Sequence, residues 1–288
     1  MDSVLVLIAV PGSGAIDGRV VELLRDLGAG APHWLSPGEA CEVQAFARIP
    51  EFMVDVRRLP IDAAVVSIHS RRKRLLVADM DSTMIHQECI DELGEAAGVG
   101  ARIRDITARA MRGELDFEAA LAERVGLLRG LDADIIEQLF RERITYVAGG
   151  STLIATMRAA GAFTALVSGG FKPFTSRVAA HLGFDTHEAN ELPIRDGRIT
   201  GEVARPILGS AAKVEALRRF MTMRGLDHHD VIAAGDGAND LAMLNDAGLG
   251  VALHAKPHVQ EGSLIRVNHG DLTALLYLQG YRKEQFVV

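Results

Sequence analysis

The chain has 288 residues, room for one large domain or two smaller ones, and 48% of them are apolar, too many for a globally disordered chain. A net charge of −7 argues against a general nucleic-acid binder, and the two cysteines, Cys41 and Cys89, offer neither a disulfide framework nor a zinc quartet. No apolar run approaches the roughly 20 residues of a membrane span, and the opening MDSVLVLIAV carries an acidic residue where a signal peptide has basic ones, so a soluble cytoplasmic protein is expected.

Residues 4–10, VLVLIAV, read as a buried first strand. PGSG breaks it, and Ile16, Val20, Leu23, Leu24 and Leu27 then recur at helical spacing until Gly28. Two strand-like runs follow, near 40–47 and 63–68, with a weakly patterned segment between them. RRKR at 71–74 reads as a solvated junction rather than a nucleic-acid patch. Residues 1–72 are therefore expected to form a small α+β module ahead of a main domain at 73–288.

From residue 74 strands alternate with helices. RLLVAD is a strand, and residues 86–148 hold only helical patterns, which marks an insertion. FTALVSGG (163–170) is a second strand, followed by a helix over 172–182. ELPIRDGRITGEV reads as a hairpin around Asp196-Gly197. SAAKVEALRRFMTM is a helix, DVIAAGDG a third buried strand, ANDLAMLNDA a helix, GLGVAL a strand and DLTALLYLQ a last helix. Apolar strands alternating with helices predict an α/β fold with a doubly wound parallel sheet.

The first of these strands ends in Asp79 and Asp81, one residue apart. Side chains at i and i+2 of a strand share a face, and the carboxyl ends of parallel strands border the crevice where such sheets bind ligands. An Asp-x-Asp pair alone is equally compatible with an acidic loop satisfied by helix N-termini. The other strand ends add to it. SGG at 168–170 supplies a hydroxyl and free N–H groups before a helix, and Pro173 suits that helix's first turn. GDGAND delivers Asp236 and Asp240, and Lys213 opens the helix before that strand.

Together these groups suit a hard divalent cation, magnesium, and a phosphate. The cation and Lys213 would offset phosphoryl charge. One aspartate would then be free to attack phosphorus, while the other donates a proton to the leaving alcohol and later takes one from water. No G-x-x-x-x-G-K-[ST] and no G-x-S-x-G is present, which excludes a P-loop NTPase and disfavours an α/β-hydrolase.

DMDST at 79–83, Ser168, Lys213 and GDGAND at 235–240, in that order, resemble the motif set of the haloacid dehalogenase superfamily of phosphotransferases. DMDSTMIHQECIDELGEAAG, and RAMRGELDFEAALAERVGLL at 109–128, are similar to the first motif and cap of that superfamily's phosphoserine phosphatases. The resemblance implies a Rossmann-like core with an inserted helical cap at about 86–148. It makes Asp79 the nucleophile and a metal ligand. Asp81 becomes the general acid/base, with its backbone carbonyl on the metal, Asp236 the third ligand and Asp240 a supporting carboxylate. Ser168, Gly169 and Lys213 would bind phosphate, with Asn239 beside it. Glu88 and Arg124 would grip the ammonium and carboxylate of the substrate, while Met111 and Phe117 close over it.

The implied reaction is hydrolysis of O-phospho-L-serine to L-serine and phosphate, the last step of serine biosynthesis, with Mg2+ as cofactor. Another small phosphorylated metabolite, such as phosphothreonine or phosphohomoserine, is the alternative within the class. A serine-sensing regulatory protein is the alternative outside it, and the intact catalytic positions speak against that. Residues 1–72 resemble ACT-type amino-acid-binding modules, which implies contacts in a homodimer and, secondarily, an L-serine site. No nucleic-acid or membrane partner is expected.

Overall fold

The computed structural model describes residues 3–112 and 114–288, with the side chain of Met111 outside the described set. Residues 3–67 form β1 (Ser3–Ala9), α1 (Gly18–Asp26), β2 (His33–Ser36), β3 (Ala40–Gln44), α2 (Ile49–Val56) and β4 (Ile61–Ser67). The strands make an antiparallel sheet in the order β2-β3-β1-β4, a split β-α-β-β-α-β arrangement. The first helix starts where Asp17 accepts the N–H groups of Arg19 and Val20. β1 reads as an unbroken apolar run because both its faces are buried. Leu5, Leu7 and Ala9 pack with Val20, Leu24, Phe52 and Val56 of the two helices. Val6 and Ile8, on the opposite face, join the core of the rest of the chain. β2 and α2 fall in stretches that showed no clear pattern in the sequence.

The main sheet has six strands, all parallel, in the order β12-β11-β10-β5-β6-β7. In chain order it begins with β5 (Leu75–Ala78). Four inserted helices follow: α3 (Cys89–Ala96), α4 (Gly100–Met111), α5 (Phe117–Gly126) and α6 (Ile135–Glu142). Then come α7 (Gly150–Ala159), β6 (Phe163–Phe171), α8 (Lys172–Leu182) and β7 (Thr186–Asn190). A hairpin of β8 (Ile194–Arg195) and β9 (Arg198–Ile199) precedes α9 (Ser210–Arg224) and β10 (Val231–Gly235). The chain closes with α10 (Leu241–Asp246), β11 (Leu249–Leu253), α11 (Pro257–Glu261), β12 (Ile265–Val267) and α12 (Ala274–Leu278). No helix among the described residues is long and apolar enough to cross a membrane.

Backbone contacts hold the helical insertion in two places. Its two connecting strands lie together, with Ile85 bridged to Tyr146 and the N–H of His86 donating to Thr145 O at 3.0 Å. Its 130–133 segment adds to β9: Gly130 N–H donates to Ile199 O, Ile199 N–H to Leu131 O and Ala133 N–H to Gly197 O, at 2.8, 2.9 and 2.8 Å.

The junction at 71–74 is not the solvated linker the charge run suggested. Arg71, with 12% of its side chain exposed, pairs with Glu42 and donates to the carbonyls of Tyr277 and Leu278. Buried Lys73 donates to Ser70 O and His229 O, and Arg72 stacks 3.7 Å over Tyr281. Two carboxylates from the first sheet complete this seam. Asp62 accepts the N–H groups of Asn268, His269 and Gly270 at 2.7–2.9 Å, and Glu39 accepts from Tyr277 Oη and Lys283 Nζ. A charge run is read as solvated when the partners that bury it come from far along the chain.

Candidate active site

β5 lies between β10 and β6, and the groups read as functional gather at the carboxyl ends of these three strands. Asp79 and Asp81 do not share a strand face. β5 ends at Ala78, Asp79 N–H still bonds Ala234 O at 3.0 Å, and the chain then turns over Met80, whose carbonyl receives the N–H groups of Thr83, Met84 and Ile85. Ser82 takes φ +55° in that turn. Asp81 is held by the N–H of Cys89 at 3.1 Å. Gly170 leaves room for it, because a Cβ there would lie 2.8 Å from Asp81 Oδ2 and 3.1 Å from Ser168 Oγ.

Beneath the site, Lys213 is fully buried, with Nζ 2.7 Å from Asp79 Oδ1 and 2.6 Å from Asp240 Oδ1. The other oxygen of Asp240 accepts Gly237 N–H at 3.0 Å, so both its oxygens are engaged. Asp79 Oδ1 also receives Met80 N–H at 2.8 Å, which leaves Oδ2 free of these bonds. Asp236 stands opposite, bonded by Thr83 Oγ1 at 3.3 Å and approached by Lys256 Nζ at 3.8 Å.

Burial dominates the electrostatics. It pushes Asp79 up, aided by Asp240 and opposed by Lys213. It raises Asp81 to about 7, with the charge of Glu88 adding to the effect. Asp236 rises to about 6 for the same reason, and Lys256 works against the rise. Burial works against the charge on Lys213, but Asp79 and Asp240 outweigh it and hold the ammonium charged. One oxygen from each of Asp79, Asp236 and Asp240 lies within 4.8 Å of the others. An all-oxygen, buried, like-charged donor set of this kind fits a hard divalent cation. Since Asp240 is spent on Lys213 and Gly237, the ligands left for it are Asp79, Asp236 and nearby carbonyls.

Above this floor opens a cavity of about 820 Å³, lined by Asp79, Asp81, Glu88, Phe117, Arg124, Ser168, Gly169, Asp236 and Asn239. Ser168 Oγ accepts Gly170 N–H at 2.9 Å just before α8. Glu88, at the start of α3, accepts from Ser82 Oγ at 3.0 Å. Arg124 on α5 donates to Ala120 O and Thr107 Oγ1, and among the described residues it has no carboxylate within ion-pairing distance. Burial lowers its pKa, while Asp91 and Glu88 act in the opposite direction. The Phe117 ring sits so near Gly169 and Gly209 that a Cβ at either would lie 3.3 or 3.2 Å from it. Met111 ends α4, and its side chain lies outside the described residues.

Thr83, Asp91, Thr107, Asn190, Lys256 and His258 were not singled out in the sequence. Asp91, Thr107, Lys256 and His258 line the cavity, while Thr83 and Asn190 brace groups that do. Only Thr83, inside DMDST, carried a signal that could have exposed it.

Residues 76–245, more than half the chain, match the haloacid dehalogenase-like hydrolase family. A phosphoserine phosphatase of Streptomyces coelicolor is 45% identical over 79% of this chain and 56% of its own length. One from Haemophilus influenzae is 48% identical over 71% of this chain and 65% of its own. The chain thus spans between half and two thirds of these two relatives. The crystal structure of a probable phosphoserine phosphatase from Vibrio cholerae, in its unliganded form, superposes with a TM-score of 0.82 at 30% identity, covering 99% of this chain and 88% of that one. With its four motifs converging at the ends of three parallel strands, the chain belongs to the haloacid dehalogenase-like hydrolases.

Proposed function

We propose that this protein is a Mg2+-dependent phosphomonoesterase that hydrolyses O-phospho-L-serine to L-serine and phosphate. The observation that carries the reading is the pairing of two ends in one cavity. Lys213, Asp79 and Asp236 lie at its floor, and Glu88 and Arg124 at its cap side. The similarity to phosphoserine phosphatases from two bacteria and to a probable one from a third supports the choice of substrate. When bound to Asp79, Asp236 and the Asp81 carbonyl, the cation would withdraw charge from the phosphoryl oxygens.

Asp79 Oδ2 attacks phosphorus and forms an aspartyl-phosphate as the bond to the serine oxygen breaks. Asp81, raised to about 7 and so still partly protonated near neutrality, gives its proton to that leaving oxygen. The Asp81 carboxylate then takes a proton from water, which attacks phosphorus and releases Asp79 and phosphate. Ser168 Oγ, the N–H of Gly169 and Lys213 Nζ hold the phosphoryl oxygens, with Asn239 beside them. Asp240 keeps Lys213 in place. Glu88 takes the ammonium of the substrate, and Arg124, with donors to spare, takes its carboxylate. Phe117 closes the cavity to water.

In this reading residues 73–288 are the catalytic unit, with the cap at about 86–148. Residues 1–72 are an ACT-like module for dimer contact and L-serine binding. The test is phosphate release from O-phospho-L-serine with and without Mg2+, beside Asp79→Asn and Glu88→Ala. Magnesium-dependent release that Asp79→Asn abolishes and Glu88→Ala weakens is expected. Release only from an aryl phosphate would keep the phosphatase and remove the substrate.

A further inference from the structure

β6 and β7 pair regularly up to Val167 and Glu188, and next at Phe171 and Asn190. Three residues of β6 between these pairs thus face one on β7, so Ser168–Gly170 bulges out of the ladder and leaves backbone groups without strand partners. The side chain of Asn190, buried at 2% exposure, fills that gap. Its Nδ2 donates to Gly169 O at 2.9 Å and to Leu208 O at 3.1 Å, and its Oδ1 accepts Leu208 N–H at 2.7 Å. Both amide protons are used, and Oδ1 accepts as well. Gly169 belongs to the bulge near the end of β6, while Leu208 lies just ahead of α9. That helix's first turn carries Lys213, whose N–H bonds Gly209 O at 3.3 Å.

We propose that Asn190 is a positioning residue for phosphoryl binding: its amide sets the spacing between the Ser168–Gly170 bulge and the helix that presents Lys213. This rests on the reading above, in which those groups hold one phosphoryl unit. The amide is specific to the task. Aspartate would set a carboxylate against two carbonyl oxygens, alanine would leave the carbonyls unpaired, and glutamine is too long for a gap closed at 2.7–3.1 Å.

Asn190→Asp therefore supplies a signature that loss of packing does not. Protonated, the new side chain donates to one carbonyl, whereas ionised it repels both. The charged groups around this end of β7 are already engaged. Glu188 is bound by Arg219 of α9 and Glu191 by Lys172 of α8, while His187 bonds Thr175 of α8. Lys213 is held by Asp79 and Asp240, and Arg205 by Glu118 of the cap. They act equally in the wild type, so the ratio of variant to wild type at each pH removes them.

The experiment measures kcat/KM of the full chain and the inhibition constant of inorganic phosphate for wild type, Asn190→Ala and Asn190→Asp. Asn190→Ala should lose about 10- to 100-fold in kcat/KM and bind inorganic phosphate more weakly. Asn190→Asp should match that loss near about pH 8 and recover severalfold, relative to wild type, near about pH 5.5. A folded Asn190→Ala within threefold of wild type, or a pH-independent ratio for Asn190→Asp, overturns the proposal. If Asn190→Asp does not fold, hydrogen exchange on Asn190→Ala decides. Faster exchange at 168–171 and 207–210 is expected, and unchanged exchange overturns the proposal. A wild type silent on O-phospho-L-serine refutes the substrate instead, and the same ratios are then read on an aryl phosphate.

Discussion

Lys213 holds a charge with none of its side chain exposed, and the two carboxylates at 2.6–2.7 Å make that tenable. Its removal strands both acids. Lys213→Met should abolish phosphate binding and cost about 3–5 kcal/mol of stability in urea unfolding. Unchanged stability would mean that water reaches the pair. At this scale the residues legible in the sequence were those inside motifs, because each motif names a chemistry before any fold is known. Asn190 and Lys256 were illegible. Each acts through backbone or carboxylate groups far away in sequence, and neither has a spacing rule that a single chain displays.

The elements followed the strength of their local signals. The hairpin was legible because Asp196 and Gly197 both take positive φ, +52° and +73°, as a two-residue I′ turn demands. β2, β7, α11 and β12, at three to five residues each, were too short to show a period, and α2 has a proline in its first turn that reads as a break. The hairpin also bears on the cap, since β9 receives the 130–133 segment. Gly197→Val would force a β-branched residue into the left-handed region at about 1–2 kcal/mol or more. Loosened exchange of the Gly130 and Ala133 amides and a raised KM are expected, with little change in kcat. Unaltered exchange at both amides would show that the cap holds its place without the hairpin.

Across the whole molecule the acidic site sets a dependence on pH. Asp81 at about 7 and Asp236 at about 6 both stand above their ordinary 3.8. A raised carboxylic acid favours the fold while protonated, below its unfolded value, and this contribution is lost as pH rises through the folded one. Protein stripped of divalent cations should therefore lose thermal stability between about pH 5 and pH 8, and added Mg2+ should raise its Tm more at the upper end. A Tm gain from Mg2+ equal at both ends would separate the cation from these carboxylates. The alternating architecture from residue 74 was legible because the four central parallel strands, β11, β10, β5 and β6, are mostly apolar. The seam between the sheets was not, because its partners lie at opposite ends of the chain. That separation has a consequence in time. Asp62 meets Asn268 206 residues later, and Val6, Ile8, Ala64 and Val66 share a core with Leu272–Leu278. At about 5–20 residues per second of synthesis, the first sheet can form and then wait roughly 10–40 s with one apolar face bare. During that interval a nascent chain offers this face to chaperones, or to the same face of another unfinished copy, until the segment around Leu272–Leu278 emerges and covers it.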